Sequence, residues 1–425
     1  MENSRIVVLA LIAIIACSLG YYVGRVTTPE KIVEVPAEIP EPPRTILIGG
    51  TAPLTGMFSI AAGKLDKLYI TWSDMINERG GLYVKEYDTR LPVKVIVYDD
   101  KSEPETASRF YEKLITEDKV DVLIGSFGGG LHIPVAPIAE KYEIPFVHTT
   151  AAETSIYEQE YKWSVEHLDL IYFWSSAYFD LLEDEGEVET ISFVIEDLLY
   201  GNEIAAGGAK KSEEIGIEIL SMDRFAPGTL DFTPIIIKLM DLNPDVIFVA
   251  SGAPSAITFV KQAHEKGLNP NEFHVAQLFQ PFVNAVGSDV ANYMTGEWFW
   301  IDNMPYTGKW GLSFWEELQQ RSGVTVDSYP YAVINFVGLE IIATAIEEAG
   351  SLDKSKVMDV MRNLNMMTIM GPINYRDFQY EDDKGIHNVE GVGTLTAFPV
   401  QFVDGKFVQL WPPELTESKH IYPSP

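Results

Sequence analysis

Residues 120–132, VDVLIGSFGGGLH, run from an apolar, β-like segment straight into three consecutive glycines. Such glycines let the backbone approach a ligand without a Cβ and adopt positive φ where needed. In an open parallel sheet, ligands bind where strands end and helices begin, because backbone N–H groups are presented there. The segment therefore indicates a ligand-binding turn. The alternative is a tight strand-to-helix turn that binds nothing.

Other chemistries find little support in the residues. The glycine spacing is G-x-x-G-G-G rather than the G-x-G-x-x-G of dinucleotide sites, and P-loop and G-x-S-x-G motifs do not occur. The single cysteine, Cys17, lies in the first apolar run, so disulfides and cysteine catalysis are excluded for the folded part. Seven histidines show no metal-ligand spacing, and we expect them at the surface or in loops. We expect no catalytic residue, cofactor or metal.

The chain is strongly acidic. It carries 31 Lys and Arg residues against 62 Asp and Glu residues, a formal net charge of −31. The negative electrostatic field of such a chain repels phosphates, so we expect no nucleic-acid partner. We interpret the charge as that of a solvated acidic surface. With 425 residues, 46% of them hydrophobic, the chain can build two substantial cores.

The N-terminus indicates contact with a membrane. Residues 6–24, IVVLALIAIIACSLGYYVG, contain no charge and are long enough to cross a bilayer as a helix. Within them, IIAC (14–17) resembles a lipobox, which makes Cys17 a possible lipidation site. The apolar run continues beyond Cys17 to residues 21–23, which favours an uncleaved anchor instead. Residues 27–44, rich in proline and glutamate, predict an extended stalk, with the globular part outside the cytoplasm.

From Thr45 onward, short apolar strands alternate with amphipathic helices. One helix has apolar residues at i, i+3, i+4 spacing from Leu65 to Ile76, and Ser102 with Glu105 predicts a capping box for the next. This alternation predicts an α/β fold with parallel sheets covered by helices, in two similar Rossmann-like lobes joined by a multi-segment hinge. The predicted strands cover 45–50, 93–100, 120–125, 144–149, 190–196, 217–222, 245–250 and 273–277.

Seven segments occur in a definite order along the chain. They are IGGTAPLTG (48–56), INERGGLYV (76–84), VYDDKSEPETASRFYEKLI (97–115), VLIGSFGGG (122–130), IPFVHTTAAET (144–154), EDLLYGNE (196–203) and DFTPIIIKLMDLNPDVIFVA (231–250). This series resembles the leucine/isoleucine/valine-binding protein family, the type I periplasmic solute receptors of ABC importers. The resemblance covers about residues 45–410 and implies two lobes joined by three crossing segments, with the ligand enclosed between them.

The resemblance and the composition together give a domain plan. We expect a signal or anchor segment at 1–26, a stalk at 27–44 and a tail at 413–425. The N-terminal lobe is expected to comprise 45–166 and 300–366, and the C-terminal lobe 167–299 and 367–412. The implied partners are a small solute, an ABC permease with its ATPase subunits and, through the N-terminus, the cell membrane.

In the family, the turns after the third and fourth strands bind the ligand carboxylate through backbone N–H and hydroxyl groups. The matching residues here are Phe127, Gly128, Gly129, Thr150 and Ala152. Gly129 and Ala152 stand where the family has a serine and a threonine, so two hydroxyl donors are missing. Thr150 could supply one in their place.

The second lobe is expected to supply Tyr200, which matches a ligand-packing tyrosine, and Gln277, which matches the ammonium-binding glutamate. A neutral amide cannot offset a buried ammonium, which weakens the case for an α-amino acid ligand. Tyr331, with the neighbouring aromatic residues Trp298, Trp300 and Tyr329, could stack on a flat or apolar ligand. Glu153 is expected to be a solvated loop acid, although it could supply a displaced negative charge.

These features predict a membrane-tethered solute-binding protein that closes over an amino acid, an amide or a related compound. The alternative is an extracytoplasmic α/β enzyme that uses Glu153, His148 or His132 as acid or base. A sensory ectodomain would normally need a cytoplasmic signalling domain, and only about five residues precede the apolar run.

Overall fold

The computed structural model describes residues 44–425, except 302–303, 327 and 383–384. The predicted anchor at 1–26, Cys17 and the stalk as far as residue 43 lie outside the described residues. Within the described residues, no helix has both the length and the apolar character needed to cross a bilayer.

Two sheets organise the described chain. Most neighbouring strands are parallel, and strands such as β8 and β10 are buried along nearly their whole length, as expected for sheets covered on both faces. The strands are β1 (Ile46–Ala52), β2 (Leu82–Val84), β3 (Thr89–Leu91), β4 (Val93–Asp99), β5 (Val122–Ile124), β6 (Phe146–His148), β7 (Ser164–Leu168), β8 (Thr190–Glu196), β9 (Glu218–Phe225), β10 (Val246–Ala250), β11 (Glu272–Val275), β12 (Thr295–Trp298), β13 (Asn365–Thr368), β14 (Gly371–Asn374), β15 (Arg376–Asp382), β16 (Gly385–Leu395), β17 (Phe398–Val403) and β18 (Lys406–Gln409).

The helices lie between these strands. Among them α14 is apolar on every side and buried from Ala332 to Ile346, so it is a core helix. The helices are α1 (Ser59–Ala62), α2 (Leu65–Glu78), α3 (Pro104–Thr116), α4 (Gly129–His132), α5 (Ala136–Tyr142), α6 (Thr154–Tyr157), α7 (Ser176–Glu185), α8 (Leu199–Ile215), α9 (Thr233–Leu242), α10 (Ala253–Lys266), α11 (Gln280–Val286), α12 (Ser288–Ala291), α13 (Leu312–Ser322), α14 (Ala332–Ala349) and α15 (Lys354–Arg362).

In the described residues, one seven-stranded sheet has the order β15-β16-β7-β6-β5-β1-β4, and the other has the order β18-β17-β12-β11-β10-β8-β9. We call each sheet with its covering helices the first lobe and the second lobe. Strands β1, β4, β5, β6 and β7 are parallel, as are β8 to β12. The predicted parallel-rich α/β fold is confirmed.

The chain passes between the lobes three times, after β7, after β12 and after β16. The predicted plan placed residues 367–412 wholly in the C-terminal lobe, and the sheet pairing differs from that plan. Strand β16 pairs in parallel with β7 of the first sheet, while β17 pairs with β12 of the second. The last crossing therefore lies between Leu395 and Phe398. The sequence of the β15–β16 hairpin carries no local signal for the sheet that it joins.

Two local predictions are wrong. Ser102 does not cap α3: the helix begins at Pro104, and the Ser102 hydroxyl donates to the Thr55 carbonyl and accepts from the Phe58 N–H. The expectation of surface histidines also fails, because four of them have 0% exposure in the core. These four are His132, His148, His167 and His274.

Candidate functional site

The glycine turn after β5 is held by polar groups of the chain itself. Gly128 has φ of 74°, a conformation that favours glycine, and its N–H donates to the Thr150 hydroxyl at 2.8 Å. The Gly128 carbonyl lies 2.8 Å from the Nδ1 atom of His132, which donates to it. Thr150 is thus placed at the turn as predicted, but its oxygen already accepts a bond there.

Gly129 lies directly against the carboxyl group of Glu153. Its N–H donates to Glu153 Oε1 at 3.1 Å, and a Cβ at this position would lie 2.0 Å from the carboxyl carbon. The glycine therefore makes room for a side chain of this protein. The next residue, Gly130, has open space where a Cβ would point.

Glu153 is buried rather than solvated, with only 5% of its surface exposed, so that prediction is wrong. Burial raises the pKa of Glu153 to about 8, and the negative charges of Glu203 and Glu166 act in the same direction. The second oxygen, Oε2, has no hydrogen-bond partner among the described residues. The sequence showed an acidic residue beside a turn, and only the packing decides its burial.

An aromatic cluster lies next to this turn. The Phe127 ring is 5.6 Å from Phe58, 6.0 Å from Tyr329 and 5.7 Å from Tyr331, all in edge-on arrangements. Tyr331 immediately precedes α14 and is also 6.1 Å from Phe299. Because Phe299 follows β12 of the second lobe, aromatic residues from both lobes meet here.

Tyr200 and Gln277 meet on the second-lobe side. Tyr200 lies in the first turn of α8, and its ring is 6.2 Å from Trp174. Burial raises the pKa of the Tyr200 hydroxyl, and the nearby Gln277 side chain acts in the opposite direction. The Gln277 amide oxygen accepts from the N–H of Ala253 at the start of α10, at 3.0 Å. Trp174 is in turn 4.8 Å from Phe299. Tyr200 therefore joins the same aromatic cluster as Tyr331.

Glu297 is a site residue that the sequence reasoning missed. It lies in β12, its side chain is 2% exposed, and neither carboxylate oxygen has a hydrogen-bond partner among the described residues. Its negative charge contributes to raising the pKa of Tyr200 and Tyr331, after burial, which is the largest cause for both. A charged residue in the aromatic stretch EWFWID (297–302) was the available signal.

The two lobes also contact each other through a buried carboxylate. Glu203 of α8 accepts from the Thr154 N–H at 3.0 Å and from its hydroxyl at 3.2 Å, at the start of α6 in the first lobe. The same hydroxyl lies 2.6 Å from the Tyr380 hydroxyl. Glu203 thus joins the helix that carries Tyr200 to the loop that carries Glu153.

The remaining predicted residues lie beside the cluster or away from it. Ala152 is fully buried, and its carbonyl accepts from the Ile171 N–H at 3.0 Å. Trp298 donates its indole N–H to the Leu278 carbonyl and packs on Phe407 within the second lobe. Trp300 packs on Trp315 and lines a separate surface cavity of about 540 Å³. A second cavity, of about 250 Å³, lies near Arg362. No residue of the aromatic cluster lines either cavity.

The histidines named for the enzyme alternative are poorly placed for acid–base chemistry on a solute. His132 and His148 are 0% exposed, and their rings pack 5.9 Å and 4.3 Å from Phe146. Burial lowers the pKa of His132 to about 4 and that of His148 well below its usual value. Both rings are therefore neutral near pH 7. In the described residues, no group of three or more His, Cys, Asp or Glu side chains is arranged to hold a metal ion.

Comparison with known proteins gives a consistent picture. The chain is similar over 381 residues to the Leu/Ile/Val-binding protein homolog 7 of Brucella abortus, with 22% identity, 86% of this chain and 91% of the relative covered. A leucine-, isoleucine-, valine-, threonine- and alanine-binding protein of Pseudomonas aeruginosa is 21% identical over 80% of this chain and 87% of its own length.

Two solved structures share the fold. The branched-chain amino acid transporter substrate binding protein of Streptococcus pneumoniae, in complex with isoleucine, has a TM-score of 0.72 and 17% identity, and covers 89% of this chain and 100% of that one. A solute binding protein of an ABC transporter from R. palustris, in complex with 4-hydroxybenzoate, has a TM-score of 0.66 and 18% identity. The match covers 87% of this chain and 96% of that one.

The predicted family resemblance is confirmed at the level of a family model. The model described as periplasmic binding protein matches residues 45–390, which is most of the chain. This match begins one residue before β1 and ends within β16, so it includes strands of both lobes. The chain therefore belongs to the periplasmic binding protein family.

Proposed function

We propose that this protein captures a small solute between its two lobes on the outer side of the membrane and delivers it to an ABC permease of the branched-chain amino acid type. Family membership and the names of the relatives support this function. The observation that carries it is the convergence of Phe127 and Tyr331 with Tyr200 and Phe299 near the lobe crossings. Aromatic rings supplied by two lobes can enclose a solute when the lobes close.

A binding screen of the purified full chain tests this function. Thermal shift and calorimetry would be run with amino acids, aliphatic amines, amides, ureas and aromatic acids, and small-angle scattering would follow each hit. We expect at least one solute to raise the melting temperature and reduce the radius of gyration. Turnover of the bound solute, or an unchanged shape with every solute that binds, would contradict the proposal.

Site variants sharpen the screen. Tyr200→Ala and Tyr331→Ala each remove one ring of the cluster, and we expect affinity for the hit to fall at least about tenfold. Tyr83→Ala is a matched control, because this tyrosine is 39% exposed and lies in the β2–β3 hairpin. If all three variants bind the solute with equal affinity, the aromatic cluster is not part of the binding site.

The membrane tether is part of the proposal. We propose that residues 1–26 hold the protein at the membrane, either as an uncleaved anchor or through lipid on Cys17. Mass spectrometry of the mature chain from membranes distinguishes the two, since lipoprotein processing leaves Cys17 as the first residue. Cys17→Ser should release the protein only in the second case.

A further inference from the structure

The carboxylate of Glu297 is buried without a hydrogen bond from the described residues. A buried carboxylate that lacks a donor or a cation carries a large desolvation penalty, so native structures rarely leave one without a partner. The nearest group that could carry a positive charge is His274, whose Nε2 atom is 3.6 Å from Glu297 Oε1. This distance is too long for a hydrogen bond.

The hydrogen-bond chain behind His274 shows that its ring is already engaged on the other side. The Thr295 hydroxyl donates its single hydrogen to Glu272 at 2.7 Å, and it must therefore accept from His274 Nδ1 at 3.0 Å. The His274 ring is fixed between Tyr178 and Phe248, at centroid distances of 3.9 Å and 4.5 Å. His274 is therefore held at 3.6 Å from Glu297, without a direct bond to it.

The surroundings of Glu297 suit an organic cation. Tyr200, Trp174, Phe299 and Tyr331 form a chain of rings with successive centroids 4.8 to 6.2 Å apart. Aromatic faces attract ammonium groups within about 6 Å, and a nearby carboxylate adds a direct charge interaction. In the part of the chain that the structure describes, the ion pairs of lysine and arginine involve none of these residues.

The first-lobe turn is unsuited to a ligand carboxylate. The Gly129 N–H is used by Glu153, whose carboxyl group fills the space in front of it. The Gly128 N–H is used by Thr150. A ligand carboxylate at this turn would have to displace both acceptors and lie beside a buried acid.

We propose that the solute is an organic cation without a carboxylate group, with its ammonium against Glu297 and its apolar part among the rings of Tyr200, Tyr331 and Phe299. This inference rests on the proposed solute-binding function and assigns the solute class. Glu297 then takes over the charge recognition that Gln277, a neutral amide bonded to the helix α10 N-terminus, does not supply.

Four probes that share a 3-methylbutyl group test the inference by calorimetry on the full chain. They are 3-methylbutylamine, leucine, 4-methylpentanoate and 4-methylpentanamide, with choline as a second cation. We expect a cation to bind at least about tenfold more tightly than the zwitterion, the anion and the neutral amide. Glu297→Gln should remove that preference. Glu340→Gln changes another buried glutamate, one that accepts from the Lys309 N–H in the first lobe, and should leave it intact.

The outcomes separate this inference from the proposed function. Binding of leucine, the acid or the amide in preference to both cations overturns the cation assignment and leaves solute capture standing. Cation binding that persists unchanged in Glu297→Gln also overturns it, provided that circular dichroism shows a folded variant. Failure of both cations to bind overturns the inference, and failure of the entire wider solute screen counts against the proposed function as well.

Discussion

The two halves of the candidate site treat their buried polar groups differently. On the first-lobe side, the Gly128 N–H donates to the Thr150 hydroxyl, and the Gly129 N–H donates to the Glu153 carboxyl group. On the second-lobe side, Glu297 is equally buried and has no hydrogen-bond partner among the described residues. In the first half, the backbone N–H groups of the turn are therefore satisfied by the chain itself, although Glu153 Oε2 has no hydrogen-bond partner among the described residues. The second half contains the group that a ligand would satisfy.

The second lobe shows the same contrast within one sheet face. Glu272 accepts from the hydroxyls of Tyr178 and Thr295 and contacts His420 of the C-terminal tail. Glu297, two residues beyond Thr295 in β12, receives none of these. A carboxylate with several partners is expected to hold the fold together, and one without partners is expected to serve binding.

The largest expected effect comes from removing one of the partners of Glu272, the buried carboxylate that is hydrogen bonded. His420→Gln removes the cationic partner of Glu272, which has 1% exposure, and should lower the free energy of unfolding by about 3 kcal/mol. Chemical denaturation of wild type and variant measures this loss. A variant as stable as wild type would show that the tail contact is dispensable.

The same variant has a defined pH dependence. Burial alone would lower the pKa of His420, but hydrogen bonds to Glu185 and Glu272 raise it to about 10. Because the folded-state pKa is the higher one, the stabilisation is complete below the unfolded value of about 6.5 and is lost as pH rises towards the folded value. The difference between wild type and His420→Gln should therefore be greatest near pH 6 and shrink in alkaline buffer. A constant difference would contradict the charged pair.

The next effect tests the first-lobe scaffold. Gly129→Ala places a methyl group against the Glu153 carboxyl and should cost about 2 kcal/mol of folding free energy. Gly130→Ala is the matched control, since its Cβ enters open space, and should cost less than about 0.5 kcal/mol. Equal melting temperatures for the two variants would show that Glu153 does not need the space beside Gly129.

A smaller effect concerns the titration of Glu153. Its folded-state pKa of about 8 lies above the unfolded value, so the folded state keeps a proton that the unfolded chain has lost. Stability should therefore fall as pH rises between about 5 and 8, by on the order of 1 kcal/mol per pH unit more in wild type than in Glu153→Gln. Parallel curves for the two proteins would show that Glu153 is already ionised at pH 5.

The smallest effect is expected at Glu297 in the absence of ligand. Glu297→Gln removes a carboxylate that has no hydrogen-bond partner among the described residues, so the free energy of unfolding should change by less than about 1 kcal/mol. Denaturation of the ligand-free variant measures this. A loss as large as that of His420→Gln would mean that the protein itself uses this carboxylate for folding.

Much of the fold follows from local patterns. The predicted strand at 190–196 has the same bounds as β8, and the long apolar run at 331–350 forms α14. The crossing after β16 was misplaced, because strand pairing over more than 200 residues leaves no local mark. The capping box at Ser102 failed because the hydroxyl is used by the loop around Thr55 and Phe58.

The candidate site could be predicted in part. Phe127, Tyr331, Tyr200 and Gln277 were named from the family resemblance, and the structure places them in or beside one cluster. Their roles in binding stay predictions. Glu153 was expected in solvent, because its neighbours in sequence do not reveal that the loop turns it onto Gly129.

The sequence by itself determined the alternation of strands and helices, the glycine turn and the family, because these depend on residue order and on short-range periodicity. Only the tertiary structure decided which carboxylates are buried and which of those are satisfied. Burial and hydrogen bonding depend on groups brought together from distant parts of the chain, as with Glu272 and His420. For the same reason, Glu297 stands out only after the strands are packed.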